Sequence, residues 1–264
     1  MRVSLGDGSL NVVDRGSGTV VVLVHGFPLD HSMWQGQIEA LSAKYRVIAP
    51  DLRGFGQSDS VEGTLTMTSM AADLLKLLDA LEITEPVVVC GLSMGGYVAM
   101  QLWKHYPDRL KGLVLCDTRA MGDAPEAARN RLAMAEKVLK EGSQVAAEAM
   151  LSKLFAPDAE KSQPEIVRST KEVILKTAPA TIAAAQRGMA ERPDMRINLT
   201  ILQCPTLVVC GELDVISTPA EMKSIADALP KSRYEVIANA GHMSPLEKPE
   251  AFNNVLLGWL ATLD

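Results

Sequence analysis

The chain has 264 residues, 47% of them apolar, and a formal net charge of −6. That length suits one large domain, or a core with a modest insertion, and the apolar content excludes a chain disordered by composition. The acidic balance, with no basic stripe, excludes a nucleic-acid partner, because neutralising phosphates needs clustered Lys and Arg.

Met1 to Asn11 is polar and Gly-rich and has no apolar h-region, so no secretory signal is expected. Residues 2–5 and 10–15, parted by Gly6-Asp7-Gly8, predict an opening hairpin. Strands are predicted at Val20–His25, Arg46–Ala49, Val87–Cys90 and Leu110–Cys116. The apolar run Val20 to Val24 falls far short of the ~20 residues of a membrane span, so no membrane partner is expected. Met67–Leu81 is an amphipathic helix, with Met70, Leu74, Leu77, Leu78 and Leu81 on one face. Met94–His105 is another, ending before Pro107.

The alternation then breaks. Between about Arg119 and Pro193 the chain is rich in Ala, Met, Lys and Glu, predicts several helices and offers no convincing strand. A helical insertion at the sheet edge would sit over the carboxyl ends of the strands, where open α/β sheets bind ligands. Residues 119–193 are therefore expected to form a cap inserted in a core of residues 1–118 and 194–264. The plainer alternative is a set of helices merely covering one sheet face. Strand Thr206–Cys210, helix Pro219–Leu229, strand Arg233–Ile237 and helix Glu250–Leu260 finish the chain. Short β-rich runs alternating with helices predict an α/β fold, a mostly parallel sheet with helices on both faces.

Cys90, Cys116, Cys204 and Cys210 fall at or beside strand ends, form no C-x-x-C and have no zinc-ligand spacing. They are expected to be buried, reduced thiols of a cytoplasmic protein. No metal site or redox cofactor is implied. Gly54-Phe55-Gly56 lacks the third glycine of a dinucleotide fingerprint.

Gly91-Leu92-Ser93-Met94-Gly95-Gly96 lies between the run Val87–Cys90 and a helical segment, which is G-x-S-x-G in a strand–turn–helix context. A sharp turn there lifts the Ser93 hydroxyl above the sheet in a strained backbone conformation. Side chains two residues before and after would collide, which accounts for Gly91 and Gly95. The helix starting at Met94 turns its first N–H groups and positive dipole end toward any anion formed at the serine.

A serine hydroxyl needs a base. Of the four histidines, His105 is expected to face solvent and His25 to brace a loop. His242 follows the last strand in Asn239-Ala240-Gly241-His242-Met243. The carboxylate that fixes the imidazole tautomer is expected at Asp214, just beyond the penultimate strand. Asp117 is the rival, and Glu212 falls two residues nearer the strand. The backbone N–H groups of Phe27, in His25-Gly26-Phe27-Pro28, and of Met94 can converge on an oxygen becoming an oxyanion. Alternatively, His25-Gly26 simply turns a strand into a loop, and both can hold together.

His25-Gly26-Phe27-Pro28, Pro50-Asp51-Leu52-Arg53-Gly54-Phe55-Gly56-Gln57-Ser58, Gly91-Leu92-Ser93-Met94-Gly95-Gly96, Gly211-Glu212-Leu213-Asp214 and Gly241-His242 together resemble the α/β-hydrolase superfamily. Its capped serine carboxylesterases and enol-lactonase-like members are the most similar. The resemblance implies an eight-stranded sheet with the second strand antiparallel and a helical cap. It also implies Ser93, Asp214 and His242 as a triad, with Phe27 and Met94 as oxyanion-hole amides. The loop Asp51–Ser58 is expected to brace the site. Relatives that are haloalkane dehalogenases or epoxide hydrolases carry an aspartate where this chain has Ser93, which disfavours those activities.

The expected activity is hydrolysis of small carboxylic esters through an acyl-enzyme, with no cofactor. Lactonase and carbon–carbon bond hydrolase readings stay open, and a triad-retaining small-molecule receptor ranks below them. Phe27-Pro28 also looks like the aromatic–proline pair of cofactor-free perhydrolases, implying perhydrolysis as a side activity. The expected partner is a small ester, and the expected assembly a monomer or small homo-oligomer.

Overall fold

The computed structural model describes residues 1–263. Stiff β-branched side chains suit a pleated surface, and they fill the central strands. The strands are β1 (Arg2–Ser4), β2 (Ser9–Arg15), β3 (Val20–Val24), β4 (Arg46–Pro50), β5 (Val87–Leu92), β6 (Leu110–Cys116), β7 (Thr206–Gly211) and β8 (Ser232–Ile237). They form one eight-stranded sheet in the order β1-β2-β4-β3-β5-β6-β7-β8. β2 runs antiparallel to both neighbours, and the pairs from β4 to β8 are parallel. The sequence expectation of a mostly parallel sheet with an antiparallel second strand holds. β5 is buried along its whole length, whereas the edge strand β8 is largely exposed.

The helices are α1 (Gln35–Leu41), α2 (Met67–Ala80), α3 (Met94–His105), α4 (Pro125–Glu141), α5 (Gln144–Leu154), α6 (Ala159–Ser162), α7 (Pro164–Lys176), α8 (Pro179–Ala190), α9 (Arg196–Leu199), α10 (Pro219–Ala228), α11 (Ser244–Glu247) and α12 (Pro249–Leu260). From β3 the chain steps to β4 on one side through α1, then crosses back to β5 on the other side through α2. Parallel crossovers are right-handed almost without exception, so this reversal puts α1 on the opposite sheet face from α2, α3 and α10. α1 packs on α12, and α2 on α3. The reversal point lies between the adjacent strands β3 and β5, and it is at such points, at the strands' carboxyl ends, that open α/β sheets bind ligands.

The two-turn helix α1 is absent from the sequence expectations. It has seven residues, too few for a clear 3.6-residue period, and one of its three buried positions is the polar Gln37. The Gln37 amide donates to the carbonyl of Pro245 at 3.0 Å.

Between β6 and β7 the described residues contain helices α4 to α9 and no strand. Pro125, Pro164 and Pro179 open α4, α7 and α8, where a missing N–H costs nothing. This stretch bonds to loops that leave the carboxyl ends of the strands. Thr177 Oγ1 lies 3.0 Å from the Pro28 carbonyl beyond β3, and Thr181 Oγ1 donates to the Gly54 carbonyl beyond β4 at 2.9 Å. The buried pair Arg192–Asp123, 2.7 Å apart, closes the stretch on itself, and the Arg192 guanidinium stacks 4.4 Å over the Tyr97 ring of α3. No helix among the described residues is long and apolar enough to cross a membrane.

Candidate active site

Ser93 sits at the end of β5, beside the reversal point, with φ 53° and ψ −111°. These values lie outside the wells open to an ordinary L-residue, so the turn is strained. Four hydrogen bonds over-determine it. The Ser93 N–H donates to the Cys116 carbonyl at 2.9 Å, and its own carbonyl accepts from Gly96 N–H at 2.9 Å, Tyr97 N–H at 3.2 Å and Thr118 Oγ1 at 2.7 Å. The glycines are needed for the closeness. A Cβ on Gly91 would stand 2.2 Å from the Gly95 carbonyl oxygen, and one on Gly95 would stand 2.2 Å from that of Val24.

The loops leaving β7 and β8 are stitched together by Glu212 N–H to the Ile237 carbonyl and Leu213 N–H to the Ala240 carbonyl. A Cβ on Gly211 would stand 2.0 Å from the Gly241 oxygen. This contact brings Asp214 to His242. Asp214 Oδ2 meets His242 Nδ1 at 2.8 Å, while Asp214 Oδ1 accepts the N–H groups of Ile216 at 2.7 Å and Ser217 at 3.0 Å. Both side chains are buried. Burial alone would raise the Asp214 pKa, but the His242 hydrogen bond and charge and the two backbone donors hold it below the ordinary value. An ionised Asp214 keeps the proton on Nδ1 and leaves the Nε2 lone pair free to act as a base.

Asp117, the rival acid, is also buried, and one of its carboxylate oxygens lies within 4.8 Å of an Asp214 oxygen and of a His242 ring nitrogen. It is turned to other donors. Its Oδ1 accepts Gly211 N–H at 2.7 Å, and its Oδ2 accepts Ser244 Oγ at 2.5 Å and Cys116 Sγ at 3.1 Å. Burial, then the Asp214 charge, push its pKa well up. The two neighbouring carboxyls are thus driven apart, with Asp214 ionised and Asp117 inclined to keep its proton. These groups have the donor types of a metal cluster, as do Asp30, His31 and Asp51, but each is engaged by protein donors.

The structure joins Asp214 to His242 directly. Ser93 stands at the same sheet edge, yet among the described residues its hydroxyl makes no hydrogen bond. Such bonds are often loose in enzymes without substrate and tighten in the complex. Ser93 is also half-buried where His242 and Asp214 are buried.

Register Val24↔Gly91 sets the loop after β3 against the Ser93 turn, and a Cβ on Gly26 would lie 3.6 Å from Ser93 Cβ. Phe27 and Met94 are buried, and neither backbone N–H is engaged by another described residue. Buried amides without partners are rare enough to need a reason. The Phe27-Pro28 peptide is cis. His25 is buried as a brace, its Nε2 accepting Leu52 N–H at 3.0 Å, and burial lowers its pKa. His105 is exposed, as expected. Asp51, in the bracing loop, bonds His31 Nδ1 at 2.6 Å, Gln57 N–H at 2.9 Å and Asn11 Nδ2 at 2.9 Å.

Cys90, Cys116 and Cys210 are buried free thiols and Cys204 is half-buried. Burial pushes Cys210 to about 12 and Cys204 to about 11, which keeps both protonated and unreactive.

Thr118, Ser244 and Glu247 support this site without any sequence motif to mark them. Glu247 follows the histidine loop closely, but flanked by Leu246 and Lys248 it carries no signal of burial in the sequence. Three larger grooves, of about 300, 490 and 570 Å³, have neither Ser93 nor His242 in their walls. A void of about 50 Å³ is lined by Leu29, Met33, Val173 and Leu246 with the hydroxyl residues Ser32, Ser169 and Thr170, and it too has neither.

Residues 19–249 match a family model described as alpha/beta hydrolase fold. The chain is 30% identical over 243 residues to 3-oxoadipate enol-lactonase 1 of Acinetobacter baylyi, covering 92% of this chain and 89% of that one. A thermophilic esterase from Thermogutta terrifontis, in a malate-bound structure, superposes with a TM-score of 0.97 at 44% identity, covering 100% and 98% of the two chains. The enol-lactonase of Burkholderia xenovorans LB400 superposes with a TM-score of 0.92 at 29% identity, covering 99% and 100%.

Proposed function

The chain belongs to the alpha/beta hydrolase fold family, and we propose that it hydrolyses small carboxylic esters through an acyl-enzyme on Ser93. The observation that carries the reading is the buried Asp214–His242 hydrogen bond, at the sheet edge that also holds a strained serine and two unused amides. His242 Nε2 takes the Ser93 proton as the hydroxyl attacks the ester carbonyl. The Phe27 and Met94 amides then meet the oxygen that gains negative charge, each donor contributing on the order of 10²–10³ in rate. His242 returns the proton to the leaving alcohol, and water resolves the acyl-enzyme by the same route.

Enol-lactones are cyclic esters open to the same attack, and the enol-lactonase relatives favour them as a second substrate class. With Phe27-Pro28 beside the serine, hydrogen peroxide in place of water would give a peracid as a side product. The helical stretch between β6 and β7 serves in this reading as a cap, since its bonds reach the loops beyond β3 and β4.

The test is turnover of nitrophenyl acetate and butyrate, run beside an enol-lactone and with added peroxide. Rapid multiple turnover is expected in the unaltered protein, with Ser93→Ala inactive. Near-native turnover by Ser93→Ala overturns the assignment. A single slow turnover that leaves His242 modified would instead mark a receptor.

A further inference from the structure

We propose that Glu247 is a positioning residue whose buried carboxylate ties the His242 loop to the turn after α5, so that the base owes its place to the helical stretch. The proposal rests on His242 being the base. Glu247 is 4% exposed. Its Oε1 accepts Gly241 N–H at 2.8 Å, and its Oε2 accepts Ala156 N–H at 2.8 Å. On the other side of the histidine, Met243 N–H donates to the Leu154 carbonyl at 3.0 Å. Both neighbours of His242 are therefore bonded to residues 154–156, one directly and one through Glu247. No side chain intervenes, because a Cβ on Gly241 would stand 2.5 Å from both Ala156 N and Phe155 C. The Gln163 amide reaches the Glu247 carbonyl from the start of α7 at 3.3 Å.

The residue type fits the task. Two buried N–H groups facing one side chain need two acceptor oxygens, which a carboxylate supplies and an amide does not; burial raises the Glu247 pKa, and the Ala156 and Gly241 amides oppose that rise. Burying a carboxylate is unfavourable, and an apolar side chain could fill the same volume. The gain is geometric. Displacing a catalytic group by about 1 Å lowers rate on the order of 10².

The experiment compares Glu247→Gln and Glu247→Asp with the unaltered full chain. It reads kcat and KM on nitrophenyl acetate and the downfield proton resonance of His242 Nδ1–H. In a folded Glu247→Gln, kcat is expected to fall roughly 10²-fold with KM little changed, and the resonance to shift or broaden. Glu247→Asp is expected to recover part of both. Native kcat with an unmoved resonance in a folded Glu247→Gln overturns the proposal. Amide exchange in the unaltered protein adds a test that needs no variant. Gly241, Met243 and Ala156 are expected to exchange as one opening unit, and independent exchange of Ala156 overturns the coupling. His242→Ala separates the two ideas. If it retains turnover, the base assignment fails. If it is inactive while the Glu247 variants behave as native, this proposal alone fails.

Discussion

Two buried carboxyls stand beside one imidazole, and their hydrogen bonds decide which can serve it. Asp214 gives one oxygen to His242 and the other to two backbone amides. Asp117 spends its oxygens on Gly211, Ser244 and Cys116. Asp214→Asn is accordingly expected to lower kcat by about 10⁴, because an amide stabilises the wrong tautomer. Asp117→Asn resembles the protonated form that burial and the Asp214 charge already favour, so its kcat is expected to stay within about tenfold, set by small shifts of the site. Steady-state kinetics of both variants on one ester check the pair, and a crippled Asp117→Asn with a mild Asp214→Asn reverses the assignment. At this scale the placement of Ser93, Asp214 and His242 at one sheet edge was legible because each sits just beyond a strand that its apolar run announces. Asp214 was expected over Asp117 from its place after the penultimate strand, but the different side-chain partners of the two were not legible, since both follow strands. Thr118 is illegible for a similar reason. Its hydroxyl matters through the Ser93 carbonyl, 25 residues away in sequence.

The strained turn between β5 and α3 is held by neighbouring elements, and the stretch between β6 and β7 holds the loop after β3 in the same manner. Thr177, in the turn between α7 and α8, is buried, and its carbonyl accepts Ser143 Oγ at 2.5 Å. Its own hydroxyl lies 3.0 Å from the Pro28 carbonyl and 3.1 Å from that of Val173, and one proton serves one acceptor at a time. Thr177→Val keeps the shape and removes the donor. It is expected to destabilise the protein by about 1–3 kcal/mol, the penalty of a buried carbonyl left unpaired. That corresponds to roughly 2–4 °C in Tm per kcal/mol for a chain of this class. Calorimetry checks it, and an unchanged Tm means that the loop after β3 stands without this link. Strands and long helices were legible within a residue or two, β6 and α3 to the residue, because apolar period and bounding turns coincide there. The stretch after β6 was legible as helical but not as separate helices. Its surface is Lys- and Glu-rich, and its bonds to Pro28, Gly54 and Glu247 depend on partners far off in sequence.

Among the described residues, six of the eight buried Asp, Glu, His and Arg side chains, His25, Asp51, Asp117, Asp214, His242 and Glu247, lie in segments that leave the carboxyl edge of the sheet, with Asp73 and Arg192 apart from them. The pH dependence of folding should therefore report this edge. Asp51 is the clearest probe. Burial opposes its charge, but the His31 hydrogen bond, the amides of Gln57 and His31 and the Asn11 side chain bring its pKa to about 2. His31 moves the other way, raised first by its hydrogen bond to Asp51. A depressed carboxyl stabilises above its unfolded value, about 3.9, and that contribution is lost as pH falls toward 2. A raised histidine stabilises below about 6.5 and loses its contribution as pH rises through the folded value. The pair is thus strongest between about pH 4 and 6.5. There Asp51→Asn is expected to lower stability by ~2 kcal/mol, the free-energy equivalent of the shift. The gap should narrow at lower pH, where Asp51 takes up its proton, and more gently at higher pH, where His31 loses its charge but the backbone donors remain. Urea midpoints of both proteins from pH 3 to 9 measure this directly. A gap constant across that range would mean that Asp51 holds its loop by shape and neutral hydrogen bonds, and that its charge is incidental to the fold.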